Sequence, residues 1–220
     1  MKKIILVAAF AVITVLGAAA QEKSSVYFEP VQNMRFGYAG VLNSSDNNLM
    51  GGFEFGLNLF EFGVRPYSTG AISLGADFIV DEFNAAEGNY FLSEAHKTAI
   101  VSPLLSFKDI RGSRAGVLAF AFPLNFTQTI AGKLALTLGA SAKVNLNAET
   151  TTDYISVFDD RCSQSVAGIH TNRLTYDIHL AVTYDDFGIY ASYSPMKVFE
   201  NGYGPDFNFF SVGAFFGIDE

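Results

Sequence analysis

The chain has few side chains that could do chemistry, and their spacing alone assigns none of them a task. Three histidines could move protons: His96, His170 and His179. His170 follows Ser163 and Ser165 closely, so an imidazole–hydroxyl pair there, or one built on His96, would supply a nucleophile for acyl transfer. A triad is made by geometry that spacing does not reveal, and nothing distinguishes these residues from ordinary polar connections. His179 stands two residues from Asp177 in an alternating stretch, where a structural role is expected. Asp153, Asp159 and Asp160 offer oxygen ligands for Ca2+, but no loop of EF-hand spacing surrounds them, and a solvated acidic loop is expected. Gly202-Tyr203-Gly204-Pro205 lacks the strand-to-helix setting of a phosphate loop and reads as a turn. Cys162 is the only cysteine, so no internal disulfide exists. No catalytic residue, cofactor or metal site is assigned.

The charged residues make more sense as parts of strands. From Lys133 to Asn147 the chain alternates without a break: Leu134, Leu136, Leu138, Ala140, Ala142, Val144 and Leu146 oppose Lys133, Thr137, Gly139, Ser141, Lys143 and Asn145. That is a strand with one oily and one polar face. The period returns from Asn172 to Asp185, where Leu174, Tyr176, Ile178, Leu180, Val182 and Tyr184 oppose Arg173, Thr175, Asp177, His179, Thr183 and Asp185. Many such strands close most simply into a barrel. The open question is whether the oil faces a dry core or lipid.

Three observations favour lipid. Lys2 and Lys3 precede an apolar run from Ile4 to Leu16 and the small residues Ala18, Ala19 and Ala20, the pattern of a secretory signal peptide cleaved after Ala20. Position 21 is Gln, not Cys, so no lipid anchor is indicated. No later segment is long and apolar enough for a spanning helix, so any insertion must use strands. Half of the residues are hydrophobic and only 16% are charged, below the roughly 25% of a soluble domain, while mean hydropathy is only +0.24 because oil and polarity are interleaved. The formal charge of −8, lower still once Lys2 and Lys3 are removed, argues against a nucleic-acid partner.

At about ten residues per crossing, residues 21–220 hold one barrel of about eight strands and no second domain. The expected strands are Met34 to Leu42, Gly51 to about Arg65, Ile72 to Val80, Ser113 to Phe126, the two described above, Phe187 to Ser194 and Phe207 to Ile218. In the second, Phe53, Phe55, Leu57 and Leu59 carry the oil and then Phe60, Phe62 and Val64 take over, which predicts a β-bulge. The connections Pro66 to Gly70, Thr127 to Gly132 and Asp185 to Asp186 are short. Those at 83–112, 148–171 and 195–206 are long, with Asn43 to Asn48 an exception. This alternation suits short periplasmic turns and long external loops. Small inward residues predict a packed lumen, in which Arg35, Glu54, Asp77, Lys133, Lys143, Arg173, Asp177 and His179 neutralise one another. Tyr38, Phe53, Phe126, Tyr176, Tyr184, Phe187 and Phe207 fall where headgroup girdles would lie.

Tyr193-Ser194-Pro195, Val198-Phe199, Gly202-Tyr203-Gly204-Pro205 and the final run from Asn208 to Ile218 resemble the last hairpin of the PorT-like and OmpX-like outer-membrane β-barrels. Phe122-Pro123-Leu124 is similar to a feature recurring there, although Gly217-Ile218-Asp219-Glu220 departs from the terminal aromatic common in such barrels. The resemblance implies a closed, antiparallel, up-and-down transmembrane β-barrel in a bacterial outer membrane. It also implies lipid, lipopolysaccharide and the barrel-insertion machinery as partners, and it transfers no catalytic residues. The function expected is a structural or surface-interaction one, with loops 83–112 and 148–171 as the contact surface for a ligand. A lipid A-modifying enzyme using His96 or His170 is the alternative, and a soluble lipocalin-like carrier is a second one.

Overall fold

The computed structural model describes residues 25–30, 33–44, 48–94, 97–101 and 107–217. The strands are β1 Ser25–Pro30, β2 Asn33–Leu42, β3 Leu49–Met50, β4 Gly52–Tyr67, β5 Gly70–Ala85, β6 Tyr90–Glu94, β7 Lys97–Val101, β8 Phe107–Ala131, β9 Leu134–Ser156, β10 Arg161–Ala167, β11 Leu174–Tyr184, β12 Phe187–Ser194 and β13 Asn208–Gly217. No helix occurs among the described residues.

Eight strands close a ring of antiparallel neighbours taken in chain order: β2, β4, β5, β8, β9, β11, β12, β13 and back to β2. From Met34 the cross-strand partners Leu57, Phe78, Phe120 and Val144 lead to Leu174. In the other direction Phe216 and Phe187 lead to Tyr184, the opposite end of the same strand. The ring is therefore sheared by the length of β11, as closure of tilted strands requires.

The side-chain period sorts the two faces as the sequence predicts. Leu138, Ile178 and Ile189 on the outer face are 61%, 53% and 56% exposed, while Ala119, Ala121 and Ser211 on the inner face are buried. An outer wall of exposed Phe, Leu, Ile and Val around a polar interior is what lipid demands of a spanning barrel. The bulge expected in β4 is present, since Asn58 pairs with Asp77 and Phe60 with Ala76, leaving Leu59 between them. Two-residue turns join β8 to β9 and β11 to β12 at one end, helped by positive φ at Gly132 and Asp185. A short turn joins β4 to β5 at that end too.

Several expectations need correction. Much of 83–112 and 148–171 is strand, because β5 runs to Ala85, β8 starts at Phe107, β9 continues to Ser156 and β10 pairs along it from Glu149 to Ile155. The long connections thus form a three-stranded arm, β8–β9–β10, rising beyond the ring, and a separate β6–β7 hairpin. β1 was not expected as a strand; it extends the line of β2 along Phe60 to Arg65 of β4. Phe207 is buried inside, not in a girdle, whereas Tyr38, Phe53, Phe126, Tyr176, Tyr184 and Phe187 are exposed on the wall. The expected signal peptide, His96 and Ile218 lie outside the described residues.

Candidate functional site

The barrel offers three features: a charged waist inside the lumen, an apolar plug beyond it and the projecting arm. The charges of the waist stand at inward positions on five strands, brought together only by closure of the ring. Arg35 of β2 places Nε 3.0 Å from Glu54 Oε1 and a terminal nitrogen 3.2 Å from Asp77 Oδ2. Lys143 of β9 lies 3.0 Å from Asp81 Oδ2 and 2.7 Å from Asp177 Oδ2. Glu54 also accepts hydrogen bonds from Tyr190 Oη and Ser211 Oγ, both at 2.9 Å, and Asn58 donates to Asp77 Oδ1 at 2.8 Å. The cations sit 5.7 Å from the Tyr190 ring centre and 5.1 Å from that of Phe209. Buried charges persist only when partnered, and every charge here has an opposite one within bonding distance.

Of the expected network, Arg35, Glu54, Asp77, Lys143 and Asp177 meet in this waist. His179 is nearby but bonds Asn125 Oδ1 through Nε2 at 2.8 Å, the structural role expected of it. Lys133 and Arg173 do not take part. Both are exposed at strand ends, where water solvates them, and Lys133 pairs with Asp185 in the short-turn region. Asp81 and Tyr190 are waist members that sequence reasoning missed. The signal for Asp81 was the inward period Asp77, Ile79, Asp81, Phe83, masked by the neighbouring acid Glu82. Tyr190 lies on the inward face of β12 between Gly188 and Ser192.

On the side away from the short turns, the lumen is filled by rings. Phe83 packs edge-on against Phe207 and Phe209 with centroids 5.0 and 5.1 Å away, and Phe199 meets Phe207 at 6.0 Å. Phe199 and Phe207 come from the β12–β13 connection, which folds inward. Asn172 anchors it by donating to the carbonyls of Lys197 and Phe199 at 2.7 and 3.1 Å. Leu49, Phe91, Ile100, Ile169 and Val198 complete this cluster. Among the described residues, these side chains pack across the lumen as a plug.

His96 lies outside the described residues, and His170, Ser163 and Ser165 take the following places. His170 stacks on Tyr203 with centroids 4.6 Å apart and faces Glu200 at 3.5 Å. Ser163 and Ser165 lie on β10, where Ser165 Oγ is 3.3 Å from Thr151 Oγ1. Among the described residues, no group of three His, Cys, Asp or Glu is placed to hold a metal ion; Asp159 pairs with Lys108.

No protein-family model and no curated protein matches the chain. Among solved structures it is similar to Ail, the attachment invasion locus protein of Yersinia pestis, at 13% identity over 86% of this chain and 99% of that one, with a TM-score of 0.37. Ail in complex with the heparin analogue sucrose octasulfate gives 13% identity over 87% and 99%, TM-score 0.36. A mutant porin of Rh. blastica gives 6% identity over 88% and 100%, TM-score 0.23. The barrel itself rests on the register of its own strands.

Proposed function

We propose that the chain is an outer-membrane β-barrel of the PorT-like and OmpX-like kind. In this proposal residues 1–20 act as a cleaved export signal, residues 21–220 form the barrel domain, and the role is structural or surface-interacting, not enzymatic. The observation that carries the proposal is one wall with two opposite chemistries. Large apolar side chains are exposed all round its outside, and ion pairs and aromatic rings close its inside. Every long connection emerges at one end, so the β8–β9–β10 arm, the β6–β7 hairpin and the β12–β13 connection form the surface offered to a partner. Lys108 and Arg111 on the arm each face an acid, Asp159 and Asp109. A polyanion is therefore not the favoured ligand. Lipopolysaccharide beside the wall and the insertion machinery during assembly are the other partners.

A soluble carrier would need a polar exterior, the reverse of this wall. A lipid A-modifying enzyme would need a base beside a serine. His170 engages Glu200 and Tyr203, and Ser165 engages Thr151.

Protease treatment of intact Gram-negative cells expressing the full chain tests the placement and the topology together. Cleavage confined to 86–106 or 157–173, with a heat-modifiable barrel on gels, is expected. Cutting at the Gly132–Lys133 or Asp185–Asp186 turns of intact cells, or recovery of folded protein without detergent, would overturn it.

A further inference from the structure

Between the charged waist and the short turns the described residues leave the lumen unfilled. A cavity of about 380 Å3 remains, bounded by the waist at one end and by Ser68 and Thr69 of the β4–β5 turn at the other. That volume lies within the range of small-molecule sites, about 300–1,000 Å3. Its charged lining is mainly acidic: Glu29, Glu61, Asp77 and Asp177 against Arg35 and Arg65. The waist repeats the imbalance, with Glu54, Asp77, Asp81 and Asp177 sharing Arg35 and Lys143.

Besides Arg35 Nε, which faces Glu54 Oε1 at 3.0 Å, two buried polar atoms of residues lining this cavity have no hydrogen-bond partner: Ser141 Oγ and Asp177 Oδ1. Their residues are 8% and 5% exposed and stand directly opposite each other across the β9–β11 ladder. The other oxygen of Asp177 is already held by Lys143 at 2.7 Å. A buried carboxylate oxygen and a hydroxyl left unmatched favour a group that brings hydrogen-bond donors and positive charge. A divalent metal fits poorly, since among the described residues no three His, Cys, Asp or Glu are gathered to ligate one. An ammonium group brings three N–H donors to two adjacent acceptors, and charge-assisted bonds of this kind are the stronger class. Pro123, opposite Ser141 on the β8–β9 ladder, stands beside them, and Ala181 and Ala135 continue the lining toward the short turns, which suits a hydrocarbon tail.

We propose that this vestibule binds a small primary amine in its ammonium form, held by Asp177 Oδ1 and Ser141 Oγ and entering from the short-turn side. The proposal needs only the barrel and its lumen; it does not depend on what the outer arm contacts.

Calorimetric titration of the full chain, refolded in detergent, tests it with butylamine and 1,4-diaminobutane, and with tetramethylammonium and sodium chloride as the other arms. The amines are expected to bind one site per chain. Ser141→Ala should weaken them about tenfold, as loss of one hydrogen bond to a charged group does, and Asp177→Asn should weaken them more. Absence of binding by either amine overturns the proposal. Equal binding of tetramethylammonium would show bare charge attraction, and displacement of the amines by millimolar sodium would show an alkali-ion site; either result overturns it as well. Should Asp177→Asn fail to give the heat-modifiable form, Ser141→Ala decides alone, and unchanged affinity in that variant is fatal.

Discussion

Leu180 lies midway along β11, 45% exposed on the outer wall, with Leu138 opposite it on one side and Ala191 on the other. Replacing it with Arg separates a lipid-facing wall from a water-facing one. In water, an exposed Leu→Arg change away from special features costs within about 0.5 kcal/mol. At the bilayer midplane an Arg on a barrel's outer face costs about 2–4 kcal/mol. That is a loss of roughly 30-fold to several-hundred-fold in the folding equilibrium, at about 1.4 kcal/mol per tenfold. Tyr184, 63% exposed at the short-turn end of the same strand, supplies the internal control. Tyr184→Arg should cost only about 0–1 kcal/mol, because depth sets the penalty near the interface. Both variants can be measured by urea unfolding in phosphocholine vesicles, with the folded fraction read from gel mobility before and after heating. A small effect at both positions, or an equal one, would refute the assignment of this wall to hydrocarbon. The neighbouring pair Leu136→Arg and Thr137→Ala should repeat the contrast between the outer and inner faces.

Three further outcomes follow from the interior. Lys143→Met leaves Asp81 and Asp177 buried without their cation, so unfolding should become easier by about 3–5 kcal/mol; adding Asp81→Asn and Asp177→Asn should restore most of that loss, and no recovery would mean that the three do not act as a unit. A Cβ at Gly213 would stand 2.1 Å from the Phe36 carbonyl oxygen and 2.5 Å from Gly37 Cα, backbone atoms of the strand that closes the ring. Gly213→Ala should therefore abolish or sharply slow formation of the heat-modifiable form, whereas Gly116→Ala, with open space around it, should fold normally. In planar bilayers the reconstituted chain should show no steady conductance steps, since Phe83, Phe199 and Phe207 fill the lumen; regular porin-like steps would contradict that packing.

The ring was legible wherever its two faces meet different solvents. Leu174 to Tyr184 and Leu134 to Val144 alternate because one side meets oil and the other meets polar neighbours, and their register follows that pattern. Legibility ended where the environments became alike. Beyond Val144, Glu149, Thr151 and Asp153 alternate with Ala148, Thr150 and Thr152. The second set is buried, yet both faces are largely polar, so a strand resembled a loop. Ile79 and Phe83 show the reverse problem. They point inward and are oily, because that part of the lumen is packed like a core. The ion pairs were legible as a class but not as a list. Arg173 and Lys133 share the inward phase of Asp177 and Lys143, but they sit exposed at strand ends away from the waist, where Lys133 pairs with Asp185 instead. Contacts such as Glu54 with Ser211 and Tyr190 arise from ring closure, which brings the first and last strands together.

The unequal heights of the wall set how far this molecule can reach. β12 has 8 residues and β9 has 23, and Val144 is the last β9 residue paired with β11. From Asn145 to Ser156 the strand carries on for about 40 Å along its own direction, or roughly 30 Å of height at the usual barrel tilt. In the outer membrane proposed above, a tip at that elevation, with Phe158 83% exposed, would clear the headgroup layer. The low rim over β12 stays near the bilayer, so an arriving macromolecule meets a slope with a single raised side and can dock in few orientations.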